Sequence, residues 1–240
     1  MKKKSRPFSG TVFHYGQGLV EYVLLLALLV IGAVLIMSLM GVSVSDAYCR
    51  AANSISPGKA CKEVKTYCQD NFDGNTSGWQ NVSGSTTTQG GQMCFSGGLQ
   101  ALNKCSTQMS QSDYEINMKG VTLTQGNGYG TYFRSTLTGS GLNGYAFQYD
   151  PGAGNKLLIR RWANGAEIIS PIAMVPISST VFNAPHDFKI VAKGSTFTVF
   201  MDGVQVMTAQ DSTYPTGGVG LRSWDSTSAC LNDFSIGQIP

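Results

Sequence analysis

Three groups of residues in the chain have types and spacings that could do chemistry. The first is a carboxylate in an apolar setting: Glu21 stands just ahead of residues 23–40, a run without a single charge. A carboxylate in hydrocarbon has to be paired or neutralised, so Glu21 is expected to hold a partner. The second group sets arginines beside aromatics, in Tyr132 with Arg134, Arg161 with Trp162 and Arg222 with Trp224. Sugar rings stack on flat aromatic faces while neighbouring polar groups hold their hydroxyls. Arg134, Tyr149, Arg160 and Trp162 are the ligand candidates, and Trp79 and Trp224 are assigned to the core. The third group is the cysteines, Cys49, Cys61, Cys68, Cys94, Cys105 and Cys230. None has the C-x-x-C spacing of a redox or zinc site, and His14 and His186 are the only histidines, so structural disulfides are expected. The preferred short links join Cys49 with Cys61 and Cys94 with Cys105. Nucleophilic catalysis has little to work with. His186 stands beside Pro185 and no G-x-S-x-G elbow occurs.

Two very different segments must position these groups. The opening MKKKSR carries positive charge ahead of the apolar run, and positive charge stays on the cytoplasmic side of a membrane, so the bulk of the chain is expected to face outward. Small residues of the A-x-A kind are missing after the apolar stretch; the small residue Gly16 precedes it instead. No proline interrupts residues 17–54. A helix over that range would be about 57 Å long at about 1.5 Å per residue, with Gly32, Ser38 and Gly41 as small positions where neighbouring helices can approach. The chain has 17 Lys and Arg against 14 Asp and Glu, but Lys2, Lys3, Lys4 and Arg6 all precede Gly16. The remainder is close to neutral and has no electrostatic footprint for nucleic acid.

After a connector at 55–68 the composition changes. Gly, Ser, Thr and Asn become abundant, and apolar residues fall into short alternating runs separated by turn signals, the pattern of an antiparallel sandwich or barrel over 69–240. Phe188, Ile190 and Ala192 share one face of a strand, Phe197, Val199 and Met201 one face of the next, and Asp202-Gly203 closes a hairpin. Tyr145, Phe147 and Tyr149 alternate in the same way, followed by Leu157, Ile159 and Arg161 and a second turn at Asn164-Gly165.

Gly16, with Glu21 five places on and Tyr22 behind it, resembles a type IV prepilin, most closely the Flp/Tad branch in which Glu-Tyr heads the helix. The resemblance implies a leader over 1–16, a prepilin peptidase cut between Gly16 and Gln17, and Glu21 and Tyr22 as assembly residues among pilin subunits. An ion pair between the new α-amine of Gln17 and Glu21 of a neighbour would offset part of the cost of each in hydrocarbon. Two features depart from the pattern: Gln17 replaces the Phe common in other type IV pilins, and Flp-type pilins are usually much shorter.

The outer region is similar to concanavalin A-like jelly rolls of the laminin-G and glucanase type. The residues that carry this are DNFDG followed by Gly78-Trp79, then YEINMKG, YGTYFRST, FKIVAKGSTFTVFMDGVQV, GGVGLRSW and CLNDFSIGQ, in that order. The resemblance implies adjacent first and last strands, and with them a Cys68–Cys230 bridge. It also raises calcium at Asp70, Asp73 and Asp233, although no dense Asp-x-Asp loop supports it. Hydrolases on that scaffold carry carboxylates at alternating positions of one strand. Here Glu115 is followed by Asn117 and Lys119, so no catalytic residue and no cofactor is assigned.

The combined expectation is a mostly β protein with a long N-terminal hydrophobic helix: a pilin-like subunit that displays a lectin-like sandwich for adhesion to a surface glycan or protein. A sandwich with a purely structural role and an anchored glycoside hydrolase are the alternatives. The expected location is the inner membrane before assembly, then an extracellular filament or the cell surface. N-terminal sequencing of the protein recovered from cells is expected to begin at Gln17; an intact Met1, or a cut after Met40, would contradict prepilin processing.

Overall fold

Leucine, alanine and valine fill the segment behind Glu21, and with no proline to break the hydrogen-bond ladder they form helix α1 (Gln17–Leu39). The computed structural model describes residues 17–39, 49, 51–52, 54–55, 64–177 and 183–240, with side chains in α1 described over 20–32. Along that stretch Val20, Tyr22, Leu25 and Leu29 are all exposed. Among the described residues no helix is long and apolar enough to cross a membrane. The continuous helix expected over 17–54 is not found among the described residues, where α1 ends at Leu39 and only residues 49, 51–52 and 54–55 are helical beyond it. The segment between them, the leader 1–16 with Gly16, and Cys61 lie outside the described residues.

Contacts divide the chain into two units, 1–63 and 64–240. In the second, the alternating runs become strands: β1 (Thr66–Asp70), β2 (Trp79–Gln89), β3 (Gln92–Asn103), β4 (Tyr114–Gln125), β5 (Tyr129–Thr138), β6 (Gly141–Asp150), β7 (Lys156–Ala163), β8 (Ala166–Glu167), β9 (Ala173–Pro176), β10 (His186–Lys193), β11 (Thr196–Met201), β12 (Val204–Gln210), β13 (Gly218–Ser223), β14 (Ser228–Leu231) and β15 (Asp233–Gly237). One face of the sandwich runs β12-β11-β10-β4-β15-β1. The other runs β2-β3-β13-β5-β6-β7, with β8 and β9 sharing the outer edge of β7. Strand β4 serves both: its first half pairs with β10 and β15, and beyond Gly120, at φ 60°, its second half pairs with β14.

The inward faces make the core. Phe188, Ile190, Ala192, Phe197 and Val199 meet Phe133, Tyr145, Phe147, Tyr149 and Ile159 in one buried cluster. Both hairpin turns form as expected: Asp202-Gly203 and Asn164-Gly165 have positive φ at each residue, the geometry of a type I′ turn. Trp79 is buried, donates from Nε1 to Asp70 Oδ2 at 2.8 Å and packs edge-on against Phe234.

The first and last strands do lie side by side, but the cysteines pair otherwise. Strand β1 begins at Thr66, ahead of the expected start at 69, and covers the edge of β15. Register then decides the bridges: β14 places Cys230 directly opposite Cys94 of β3, and these two are bonded. Cys68 bonds to Cys105, just past the end of β3. The expected Cys94–Cys105 and Cys68–Cys230 pairs are thus both replaced. Cys49 is disulfide-bonded, and its expected partner Cys61 lies outside the described residues.

The bridges close segments of 136 and 37 residues. By loop entropy, Cys94→Ala/Cys230→Ala should lower stability by up to about 5 kcal/mol and Cys68→Ala/Cys105→Ala by up to about 4 kcal/mol. Urea unfolding of the two double variants measures the difference; equal losses, or a larger loss for the shorter link, would contradict the entropic ordering.

Candidate functional site

The strands that turn Phe133, Tyr145 and Phe147 toward the core turn the alternate residues the other way. Tyr132, Ala146 and Trp162 join Leu102 and Leu142 in a second, smaller apolar cluster on the outer face. Pairing sets Tyr132 beside Gly220 on one side and Ala146 on the other, Ala146 beside Arg160, and Trp162 beside Glu167. Strands β8 and β13 are four steps apart, about 19 Å at about 4.8 Å per strand in a flat sheet. Yet Arg222 Nη1 of β13 lies 2.5 Å from Glu167 Oε2 of β8. The edge hairpin must therefore roll inward, which makes this face concave.

Glycine permits the curl. A Cβ on Gly130 would lie 2.1 Å from the carbonyl oxygen of Phe147, and one on Gly220 2.2 Å from that of Ala101. No side chain fits at either position, so the longer neighbours lie across the trough.

Glu167 is the hub of what lies there. Its Oε1 accepts from Arg160 Nη1 at 2.5 Å and its Oε2 from both Arg222 Nη1 at 2.5 Å and Gln148 Nε2 at 2.8 Å. The Arg222 guanidinium is also 4.6 Å from the ring centres of both Trp162 and Trp224, held between two indoles by cation–π attraction. Burial pushes the Glu167 carboxyl up, but the charge and hydrogen bond of Arg222, then Gln148 and Arg160, outweigh it and hold it below the ordinary glutamate value. Burial raises the Tyr132 hydroxyl well above the ordinary tyrosine value. Four donors in the same cluster, Tyr132 Oη, Trp162 Nε1, Arg160 Nε and Arg222 Nε, are buried without a hydrogen-bond partner.

Of the sequence-predicted ligand residues, the structure brings Arg160 and Trp162 together here. Tyr149 is instead a fully buried core residue, because alternation along β6 turns it inward with Phe147. Arg134 is buried in a different place, against Phe197. Trp224, assigned to the core, is half-buried on the face of Arg222. Glu167 and Gln148 were missed. Only strand register reveals them, since the Asn164-Gly165 turn is what sets Glu167 opposite Trp162.

The proposed calcium trio does not assemble. Asp70 spends its two oxygens on Phe72 N and Trp79 Nε1. Asp73 and Asp233 line a separate cavity of about 390 Å³, where burial, then the Asp73 charge, raise the Asp233 carboxyl. Among the described residues no three His, Cys, Asp or Glu are grouped to hold a metal. Glu115 is partly exposed on β4 and accepts from Asn117 at 3.1 Å, with no second carboxylate at the alternating positions.

The 3-keto-alpha-glucoside-1,2-lyase-like domain family matches residues 68–232. The chain belongs to this family. A levanase from Bacillus subtilis (strain 168) is 30% identical over 167 residues, which make up 67% of this chain and 23% of the levanase, so the chain spans only a minor part of that relative. The carbohydrate binding module CBM66 from Bacillus subtilis is 26% identical with a TM-score of 0.53, covering 65% of this chain and 94% of the module. The VIP36 exoplasmic/lumenal domain in its Ca2+/Man-bound form has a TM-score of 0.58 at 14% identity, covering 73% of this chain and 91% of that one, and shares the fold.

Glu167→Gln removes the charge that two guanidiniums share, and the side chain is 24% exposed. A loss of about 2 kcal/mol near neutral pH is expected, below the range for a fully buried pair. Because the folded-state pKa is lowered, the carboxylate stabilises the fold above its unfolded value of about 4.3, and that contribution disappears as pH falls through the folded value. Urea unfolding from pH 7 to pH 3 should show the gap between wild type and variant closing at the acid end; a gap that stays constant would contradict the pairing.

Proposed function

We propose that this chain is a surface-displayed carbohydrate-binding protein and that the concave cluster of Arg160, Arg222, Glu167 and Gln148 holds the sugar. The observation that carries the reading is the convergence of two guanidiniums, a carboxylate and an amide beside Trp224 on the face turned away from the core. A carboxylate accepts and guanidiniums donate, so neighbouring hydroxyls of one ring can be held from both sides. The half-buried Trp224 offers an apolar face at the rim. The relatives named as a levanase and as a carbohydrate binding module support the same ligand class, and make levan fragments the first to try.

Binding rather than turnover is the better-supported role. An acid–base catalyst works best with a pKa near the operating pH, whereas Glu167 is held low and Tyr132 high. The lyase-like family keeps a catalytic alternative, which product formation abolished in Glu167→Gln would establish.

Display is the part of the proposal that rests on the N-terminus. The exposed apolar side chains of α1 call for lipid or neighbouring helices to cover them. In the pilin-type reading, cleavage after Gly16 frees the Gln17 amine to pair with Glu21 of the next subunit. Prepilin peptidase, the membrane and other subunits are then the partners of the helix, and the glycan is the partner of the sandwich over 69–240.

A glycan array with levan fragments included is expected to retain the wild-type protein. Arg160→Ala and Arg222→Ala should each weaken the best ligand at least about tenfold, in line with about 1.4 kcal/mol or more for a lost charge-assisted contact, while Glu115→Gln leaves binding unchanged. Retention of no glycan at all would favour a purely structural sandwich.

A further inference from the structure

Arg134 is a second buried cation, and the concave site makes no use of it. Its side chain is 2% exposed. At φ 48° it occupies the left-handed region, within the register break between Phe133 and Thr136, a conformation uncommon for such a residue. The break turns its guanidinium against the face of Phe197, 5.3 Å from the ring centre.

Its charge is poorly matched there. Of five N–H donors, Nη2 donates to the Ser112 carbonyl at 2.9 Å and Nη1 reaches the Tyr214 carbonyl only at 3.5 Å. The Nε is buried without a partner. The Asp113 carboxylate is 3.7 Å away and half exposed, and its Oδ1 already accepts from Gly194 N at 2.9 Å. A buried guanidinium whose paired carboxylate stands off at 3.7 Å is only partly compensated. Arg134 lines a cavity of about 200 Å³ with Ser112, Asp113, Gly194, Ser195, Ser212 and Pro215, at the loop end of the sandwich. Three serines and the Arg134 guanidinium put donors on this lining, with the Asp113 carboxylate beside them.

We propose that this cavity is a second ligand site, which takes a small oxyanion: a carboxylate, phosphate or sulfate group. The guanidinium supplies charge and the N–H donors that the Ser112 and Tyr214 carbonyls leave free, and the serines supply further donors. Asp113 lines the same cavity and restrains affinity for an anion, with its Oδ1 held by Gly194 N.

The test follows the Arg134 side-chain Nε–H resonance of the full-length protein in detergent, assigned by its loss in Arg134→Lys. Sodium sulfate, sodium phosphate and sodium glucuronate are titrated separately against sodium chloride at equal ionic strength. At least one oxyanion is expected to give a saturable shift in the millimolar range. That saturation should vanish in Ser195→Trp, which fills the cavity from an exposed hairpin position, and persist in Arg222→Ala. The anion that saturates identifies the group, with glucuronate alone pointing to an acidic sugar. The proposal is overturned if no oxyanion saturates, if chloride gives the same shift, or if Ser195→Trp responds like the wild type.

Discussion

The inward roll of one sheet edge is the constraint on which the site depends. Glu167 and Arg222 belong to strands too far apart to touch on a flat surface, and they meet because β7 and β8 fold over a trough floored by Gly130 and Gly220. Remove the curl and the carboxylate, both guanidiniums and the Gln148 amide become separate surface residues. The same curl closes the small cluster of Leu102, Tyr132, Leu142, Ala146 and Trp162. Stability of the outer face and geometry of the site are therefore one arrangement.

That arrangement sets terms for any ligand. Glu167 is already held by three donors, and the face of Arg222 by two indoles. A sugar entering this cluster would complete existing hydrogen-bond shells rather than build new ones, and little rotamer entropy would be lost on binding. A carboxylate already held by three donors is also well suited to rigidity, which agrees with a role in recognition. Mobile acid–base chemistry would ask for groups whose protonation lies near balance, and burial and pairing push Tyr132 and Glu167 in opposite directions away from it.

Much of the sandwich was legible in the residues. Alternation in 186–209 and 144–168 predicted which side chains face the core, and the Asp202-Gly203 and Asn164-Gly165 turns predicted two hairpins, because both signals are local. Arg160 and Trp162 could be nominated for the same reason, as neighbours on one strand. What was not legible depends on register between distant strands. Cys94 finds Cys230 only through the pairing of β3 with β14, and Glu167 finds Arg222 only through the rolled edge. Tyr149 was misread because its place near a loop was weighed above its alternation with Tyr145 and Phe147, which puts it on the core face. Arg134 was nominated on its proximity to Tyr132, but a register break sends it to another part of the fold.

The central claim is that the Glu167–Arg160–Arg222 cluster is where a saccharide binds. A crystal structure of the protein with a saccharide it retains tests this most directly. The account predicts density for the sugar on the concave face, with hydroxyls within hydrogen-bond distance of Glu167 and at least one of the two arginines. A sugar seated instead on the opposite sheet, at Asn117, Lys189 and Phe200, with the concave cluster untouched, would contradict it.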